Sequence, residues 1–381
     1  MAAVILAAVT TTSFKPTAAR WTGSGGAPRW ATLAQSTTFR NWRATLLWTI
    51  AAVLFAQIFY PFDRYGFALD GARPRSYRMF IYPSEIPMRV FGIPHFLIAL
   101  AFTLTSSRMR VRRNWFRFAG LAIASALLCA LFLDAGAQRN ALAIFLFYAY
   151  FIVHQFRDDT YFYEAYGEVP SEARRSHERI LTRLRWLSLA VLFAIAWPVY
   201  TTLGVQDFAT GDSILSVAYP AAWSLGVRLA VTSVPAFAAV ALVLRWIART
   251  LPGGVPELWR VHRPMLVIQL ASMAIILFAL VGGTWAINLV VLMHFVGWYL
   301  FALYQLGQRP PATPPDTIWK WMRTTRAGFM TLHLGLAAAV GIGIAVDVYG
   351  FGQQSWLYPI VGAHAFYYWT IAHVTLSFLP R

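Results

Sequence analysis

The feature that most constrains this chain is a series of long apolar segments that recurs along most of its length. A helix that crosses a bilayer needs roughly 17–25 mostly apolar residues. We count ten segments of about this length, at residues 45–62, 90–106, 117–134, 141–156, 186–204, 222–246, 264–283, 285–306, 327–347 and 356–379. The pattern predicts an all-α fold, a polytopic membrane helix bundle of about ten transmembrane helices.

Composition and charge agree with a membrane protein. Of the 381 residues, 58% are hydrophobic and only 12% are charged, whereas soluble domains carry about 25% charged residues. The net charge of +17 comes from short basic runs between apolar segments, which is typical of cytoplasmic loops and not of a nucleic-acid-binding surface. The runs predict cytoplasmic N- and C-termini and a bacterial inner-membrane location. One basic loop, 63–89, falls on the predicted outer side as an exception.

The first 44 residues differ from the rest of the chain. Residues 1–44 contain basic but no acidic side chains and are rich in Thr, Ala and Gly, so we expect a poorly ordered cytoplasmic tail. We expect residues 45–381 to form a single transmembrane helical domain. The one cysteine, Cys129, lies in an apolar segment, which excludes a disulfide within the chain and a cysteine-based zinc site.

Histidines lie inside or at the end of these apolar segments, where an ionisable side chain is costly unless it has a partner, a wet cavity or a metal. Several histidines from separate helices could therefore converge as metal or haem ligands. The candidate metal ligands are His95, His154, His294, His333, His364 and His373.

Position along a segment gives an approximate depth in the membrane, because a helix rises 1.5 Å per residue. His154, His333 and His373 lie toward the inner side of their segments, and Asp158 follows one turn after His154. We therefore expect these four residues to form an inner cluster, with His294 within reach.

A second grouping is a pair near the midplane. His294 and His364 each lie about nine residues, or ~13 Å, from the outer start of their segments. His364 and His373 share one segment at a spacing of nine residues, which directs them to opposite helix faces. His95 lies only about five residues from the outer side, so we expect it to stand apart from both groups.

His154 and Asp158 are spaced i, i+4 and so share one helix face. An imidazole and a carboxylate at this spacing can both ligate iron, or the carboxylate can orient the imidazole; Asp158 is therefore the candidate catalytic residue. Arg157 could instead pair with Asp158 and neutralise the motif.

The acidic residues all lie in loops or at segment ends. This excludes a carboxylate-rich di-iron site and leaves a histidine-rich iron site or bis-histidine haem.

Four short motifs resemble the dispersed histidine motifs of the Brp/Blh membrane carotenoid oxygenases. They are Phe91-Gly-Ile-Pro-His95, His154-Gln-Phe-Arg-Asp-Asp159, Met293-His294 and His373 near the C-terminus. The resemblance implies a polytopic protein that uses non-haem iron and O₂ to cleave β-carotene to retinal, with His95 as an iron ligand. The family's Gly-Ala-x-Asp after the first histidine is replaced here by Phe96-Leu-Ile-Ala99.

Three functional hypotheses follow. The first is a membrane-embedded, histidine-ligated iron oxidoreductase whose partners are the bilayer and an apolar, lipid-like or isoprenoid small molecule that enters from the bilayer along aromatic side chains. The second is a haem-b protein for electron transfer or haem handling. The third is a transporter whose histidines relay protons. The chain has no Walker A loop, dinucleotide fingerprint or His-Glu-x-x-His motif, and oligomeric state is not predicted.

Overall fold

The protein is described by a computed structural model over residues 36–58, 85–133, 141–166, 174–203, 205–206, 213–215, 223–250, 254–282, 284–308, 313–346 and 356–379. The described part is almost entirely helical. Most of the predicted tail and nearly all of loop 63–89 fall outside it.

Each of the long apolar segments of the sequence overlaps at least one helix. In chain order the helices are α1 (Thr37–Ile58), α2 (Glu85–Leu104), α3 (Arg112–Leu133), α4 (Ala141–Ala165), α5 (Arg174–Leu203), α6 (Leu225–Thr250), α7 (Gly254–Gly282), α8 (Thr284–Gln308), α9 (Ile318–Thr324), α10 (Arg326–Ala345), α11 (Tyr358–Val361) and α12 (Ala363–Leu376). A 3₁₀ turn at Ser107–Arg110 follows α2. Strands β1 (Val205–Gln206) and β2 (Ser213–Leu215) form a short antiparallel ribbon with an irregular register.

Six of these helices are long and apolar enough to cross a membrane, as expected for an integral membrane protein. Their apolar windows are Pro87–Leu104, Arg112–Leu131, Ile180–Trp197, His262–Ala279, Leu289–Gln308 and Arg326–Ala345. The six belong to α2, α3, α5, α7, α8 and α10.

Three helix boundaries differ from the predicted ones, and those of α2 and α4 change the placement of candidate residues. Helix α1 begins at Thr37, inside the predicted tail, because the Ser36 hydroxyl accepts a hydrogen bond from the backbone N–H of Phe39 and so caps the first turn. Helix α2 begins at Glu85, five residues before the predicted start. Helix α4 continues to Ala165, nine residues past the predicted end.

The extension of α4 has a clear physical cause. Charged side chains at residues 157–159 predict the end of the membrane segment, because placing a charge in hydrocarbon has a high free-energy cost. In the folded protein Asp158 is instead buried inside the bundle, where protein groups replace lipid as its surroundings.

Helix α2 occupies a central position, since it packs against α8, α10 and α12, while α12 also packs against α3 and α4. The main apolar core lies where these helices meet. Its most buried members include Ile93 and Phe96 from α2, Phe156 from α4, and Leu292 and Phe295 from α8. This packing determines which helix faces meet in the interior.

Two helices expose apolar side chains in rows. Ile123, Leu127 and Leu131 on α3 recur every four residues and are each more than 60% exposed. Val234 and Phe237 on α6 are similarly exposed. Exposed apolar surface of this extent requires an apolar environment, so these faces are suited to contact with lipid.

Candidate metal centre

Five ionisable side chains from four helices meet in the interior of the bundle. They are His95 of α2, His154 and Asp158 of α4, His294 of α8 and His373 of α12. Because α2 packs against both α8 and α12, and α12 packs against α4, residues far apart in sequence meet at the junction of these four helices.

The imidazole nitrogens in this cluster are very close together. Nε2 of His373 lies 3.1 Å from Nε2 of His95 and 3.2 Å from Nε2 of His154. Nε2 of His154 is also 3.5 Å from Oδ2 of Asp158. Two nitrogens bonded to one first-row cation at about 2.1 Å stand roughly 3.0–3.4 Å apart in octahedral or tetrahedral geometry, so the spacing suits shared metal ligation.

Two sets of three ligand atoms lie within 4.8 Å of one another. One set is His95, His294 and His373, and the other is His154, Asp158 and His294. The second set consists of two histidines and one carboxylate, which is the donor combination of non-haem iron(II) oxygenases. His294 belongs to both sets and so connects them.

The hydrogen bonds around His154 favour one of its two nitrogens as a metal ligand. The Ser377 hydroxyl donates to the carbonyl oxygen of Val374 at 2.6 Å. Its oxygen can therefore accept the N–H of Nδ1 of His154, which lies 3.1 Å away. With the proton on Nδ1, Nε2 of neutral His154 carries the lone pair and faces His373 and Asp158.

A second hydrogen bond holds α4 against α12 near this point. The Tyr150 hydroxyl donates to Oγ1 of Thr375 at 2.9 Å, and Thr375 donates to the carbonyl oxygen of Ile371. Tyr150 lies one turn before His154, and Thr375 lies two residues after His373. The two histidines are therefore fixed relative to each other by hydrogen bonds on both sides.

Aromatic rings enclose His95. The Trp298 ring centroid is 4.3 Å from that of His95 at a steep angle, and Phe295 and Phe96 lie at 5.3 and 5.6 Å. The His95 side chain is completely buried. The rings come from α2 and α8 and keep His95 out of contact with bulk solvent, and a low local dielectric strengthens electrostatic interactions.

Two cluster histidines have nitrogens without a hydrogen-bond partner among the described residues. They are Nδ1 of His95 and Nε2 of His294. A buried polar atom left without a partner costs about 1–3 kcal/mol. A cation held in the cluster would provide a partner for a lone pair on Nε2 of His294, so the residues present fit a metal. Nδ1 of His95 belongs to a ring whose Nε2 faces His373, so this nitrogen points away from the cluster.

The positions of His95 and His333 differ from their sequence-based placement. His95 was expected to stand apart, but it lies in the cluster because α2 starts early and places it about ten residues, or ~15 Å, inside the helix. His333 is buried outside both ligand sets, where its ring packs against Phe91 and Tyr299 at 6.4 and 4.8 Å. The side chain of His364 lies outside the described residues.

The cluster opens into a cavity of about 490 Å³. His154, Asp158 and His373 lie at one end of the lining, and Arg108 and Arg323 lie on the side of the C-terminal end of α2. The intervening wall is mainly apolar and aromatic. Volumes of this size are typical of small-molecule sites.

A second, much smaller cavity of about 40 Å³ is lined in part by His294. Asn41, Gln155 and Asp159 contribute to its lining, and each has a buried polar atom without a hydrogen-bond partner among the described residues. A polar cavity of this volume has room for ordered water. The histidine cluster thus borders both the larger cavity and this small polar one.

Ser377 was not recognised from the sequence, although a signal for it exists. It lies four residues after His373 on one helix face, and a hydroxyl at that spacing from a buried histidine can reach the same site. Arg108 and Arg323 were assigned only to basic loops, because sequence alone does not place loop residues at a cavity.

Comparison with known protein families, with curated proteins and with solved structures finds no match to this chain. The resemblance to the Brp/Blh carotenoid oxygenases therefore rests only on the motifs in the sequence. The fold and the cluster define the chain as an α-helical protein with six helices long and apolar enough to span a membrane among its described residues, and with a group of histidines that could hold a metal ion.

Proposed function

We propose that this protein is a membrane-embedded oxidoreductase that holds non-haem iron through its buried histidines and acts on a lipid or isoprenoid substrate. The observation that carries the proposal is the convergence of four histidines and one aspartate from four helices, with Nε2–Nε2 distances of 3.1 and 3.2 Å. The residues that would hold the metal are His95, His154, Asp158, His294 and His373.

The donor set favours iron over other metals. Two histidines and a carboxylate with open positions suit iron(II), whereas structural zinc sites are closed and four-coordinate. When bound, the iron would supply activation of O₂. The chain's own contribution is to orient His154 through Ser377, to exclude water around His95 with Trp298, and to leave Asp158 accessible at the cavity.

The cavity supports a lipid-like substrate. It begins at His154, Asp158 and His373 and continues between apolar side chains of α2 and α12. A substrate carbon bound there would be held beside the proposed metal and away from bulk water. Such exclusion protects a reactive centre from side reactions.

The proposal includes the topology expected from the sequence. The ten spans would be the six helices with apolar windows together with α1, α4, α6 and α12, with both termini cytoplasmic. Helix α4 carries two of the proposed ligands. The basic runs support this orientation in a bacterial inner membrane. A cysteine-accessibility scan would test it, because residues in cytoplasmic loops and in periplasmic loops label from opposite sides of the membrane.

A proton relay is a second candidate function, supported by a continuous chain of contacts. His95, His373, His154 and Asp158 follow one another at 3.1, 3.2 and 3.5 Å. Such a chain could pass protons in a transporter without any metal.

Haem is the alternative cofactor. The packed rings of Phe96, Phe295 and Trp298 around His95 do not favour a porphyrin at that position.

The distinguishing experiment is metal analysis combined with an absorption spectrum of the purified protein. Iron without a Soret band would support the proposal, and a Soret band would favour haem. Metal-free protein that moves protons in liposomes would favour the relay. The matched control is His262→Gln, which changes a buried histidine on α7 that lies beside Tyr163 and outside both ligand sets.

A further inference from the structure

The walls of the 490 Å³ cavity are formed by one face of α2 and one face of α12. Phe96, Ala99, Leu100 and Thr103 follow one another along α2 at helical spacing. On α12 the lining includes Trp369, Ala372 and Leu376, with the same spacing. The cavity is therefore elongated along the two helices, which suits an extended chain better than a compact or branched molecule.

The end of the cavity away from the histidines is polar and basic. Thr103, Ser106, Ser107, Arg108 and Arg323 line it, whereas Asp158 at the histidine end is the one acidic side chain in the lining. The charges on the lining are thus separated along its length. A ligand matched to them carries an anionic group at the arginine end and is apolar beyond it.

The position of Arg323 strengthens this charge separation. Its guanidinium donates to the carbonyl oxygens of Thr105 at 3.0 Å and Phe102 at 3.4 Å, near the C-terminal end of α2. The last carbonyls of a helix carry partial negative charge that would repel an anion. Arg323 neutralises them, and the exposed Arg108 adds a further positive charge at the same end.

The turn that carries Arg108 is held in place. The carbonyl oxygen of Arg108 accepts hydrogen bonds from the side-chain amide of Asn114 at 2.8 Å and from the backbone N–H of Val111 at 3.2 Å. Because the backbone of this residue is fixed, its side chain projects from a defined point on the cavity rim.

We propose that the cavity binds a single-chain amphiphile whose anionic head group lies at Arg108 and Arg323 and whose hydrocarbon chain extends toward the histidine cluster. The head-group site is inferred from the cavity lining alone and does not depend on the proposed function. The further statement that the reacting carbon lies far along the chain rests on the proposed function. Phe96 and Leu104, the last residue of α2, are eight positions apart, or roughly 12 Å at 1.5 Å per residue, so the head group is remote from the proposed metal.

The test compares three probes with the same sixteen-carbon chain. Radiolabelled palmitate, hexadecyl phosphate and hexadecanol are bound at equilibrium to the purified full-length protein in a neutral detergent. We expect the two anions to bind about tenfold more tightly than the alcohol, since hydrogen bonds to charged groups contribute about 1.5–3 kcal/mol. The order of the two anions identifies the head group as carboxylate or phosphate.

Two pairs of variants test the site itself. Arg108→Gln should reduce the preference for anions to about twofold or less, whereas Arg110→Gln, in the same turn but outside the lining, should leave it unchanged. Ala99→Trp should fill the cavity and abolish binding of all three probes. Ala101→Trp, on the same helix but outside the lining, should not.

Equal affinity of the wild-type protein for all three probes would overturn the proposal, as would an anion preference that survives Arg108→Gln. Metal content is measured on the same samples. Charge-dependent binding by a protein without metal would support the head-group site and count against the oxidoreductase. Bound metal without any preference for anions would support the oxidoreductase and count against the head-group site.

Discussion

Nδ1 of His154 lies 3.1 Å from Oγ of Ser377, and that hydroxyl donates its own proton to the carbonyl oxygen of Val374. In this arrangement the serine oxygen can accept a proton held on Nδ1 of His154, which directs the Nε2 lone pair into the cluster. Groups that orient metal-bound histidines in this way contribute strongly to metal affinity, so this contact gives the first prediction.

Replacing Ser377 by Ala should weaken metal binding about 10- to 100-fold, because His154 loses the acceptor that holds its Nδ1 proton. Metal affinity is measured by competition with a chelator on protein that elutes as a single species. Ser377→Thr retains the hydroxyl and should stay close to wild type. Equal affinity in the alanine and wild-type proteins would show that Ser377 does not orient a ligand.

The two adjacent carboxylates provide a second test. Asp158 lies 3.5 Å from Nε2 of His154 and belongs to a ligand set, whereas Asp159 belongs to neither set. Asp158→Asn should therefore lower metal affinity at least about tenfold, and Asp159→Asn should have a much smaller effect. A larger loss of metal affinity in the Asp159→Asn variant would show that Asp159, and not Asp158, is the metal ligand.

Histidines 294 and 333 are expected to behave differently, although both are buried histidines in apolar helices. His294 belongs to both ligand sets, whereas His333 packs against Phe91, Tyr299 and Phe329 outside them. His294→Phe should remove most of the bound metal, and His333→Phe should retain it. Metal stoichiometry by mass spectrometry decides between them, and metal loss in the His333 variant would contradict the assigned cluster.

Gly92 provides a test of the packing that positions His95. A Cβ added at Gly92 would lie 2.6 Å from the Phe295 ring and 2.7 Å from the Phe366 ring, and both rings are buried. Gly92→Ala should therefore destabilise the protein by about 1–3 kcal/mol through overpacking and reduce metal content by displacing α2. Thermal unfolding in detergent measures the first effect and metal analysis the second.

The control for this variant is Gly335→Ala on α10. No atom lies within 4 Å of the added Cβ, and alanine favours a helix over glycine by roughly 1 kcal/mol. The control should be neutral or stabilising. If both glycine variants unfold at the same temperature, the close contact of α2 with Phe295 and Phe366 does not limit stability.

Hydropathy was sufficient to locate the helices but not to determine how deep their polar residues lie. Every predicted segment overlaps a helix, because apolar runs of that length leave few alternatives. The ends of α2 and α4 were missed, since charge at residues 85–89 and 157–159 was interpreted as the edge of the membrane. These few residues changed the expected position of His95 and the surroundings of Asp158.

Which residues meet in the cluster could not be predicted from local sequence patterns, because it depends on long-range helix packing. The spacing of His154 and Asp158 is an i, i+4 relationship and could be predicted. The approach of His95 to His373 joins residues 278 positions apart and depends on α2 packing against α12. Depth alone grouped His333 with the inner histidines, because it does not say which face of α10 a residue occupies.

The most direct test of the central claim is the metal content of the purified protein beside His373→Ala and the control His262→Gln. His373 is chosen because its Nε2 contacts both His95 and His154. The account predicts iron without a Soret band in the wild-type and control proteins and loss of that iron in the folded His373 variant. Wild-type protein without metal, or iron retained equally by the His373 variant, would contradict it.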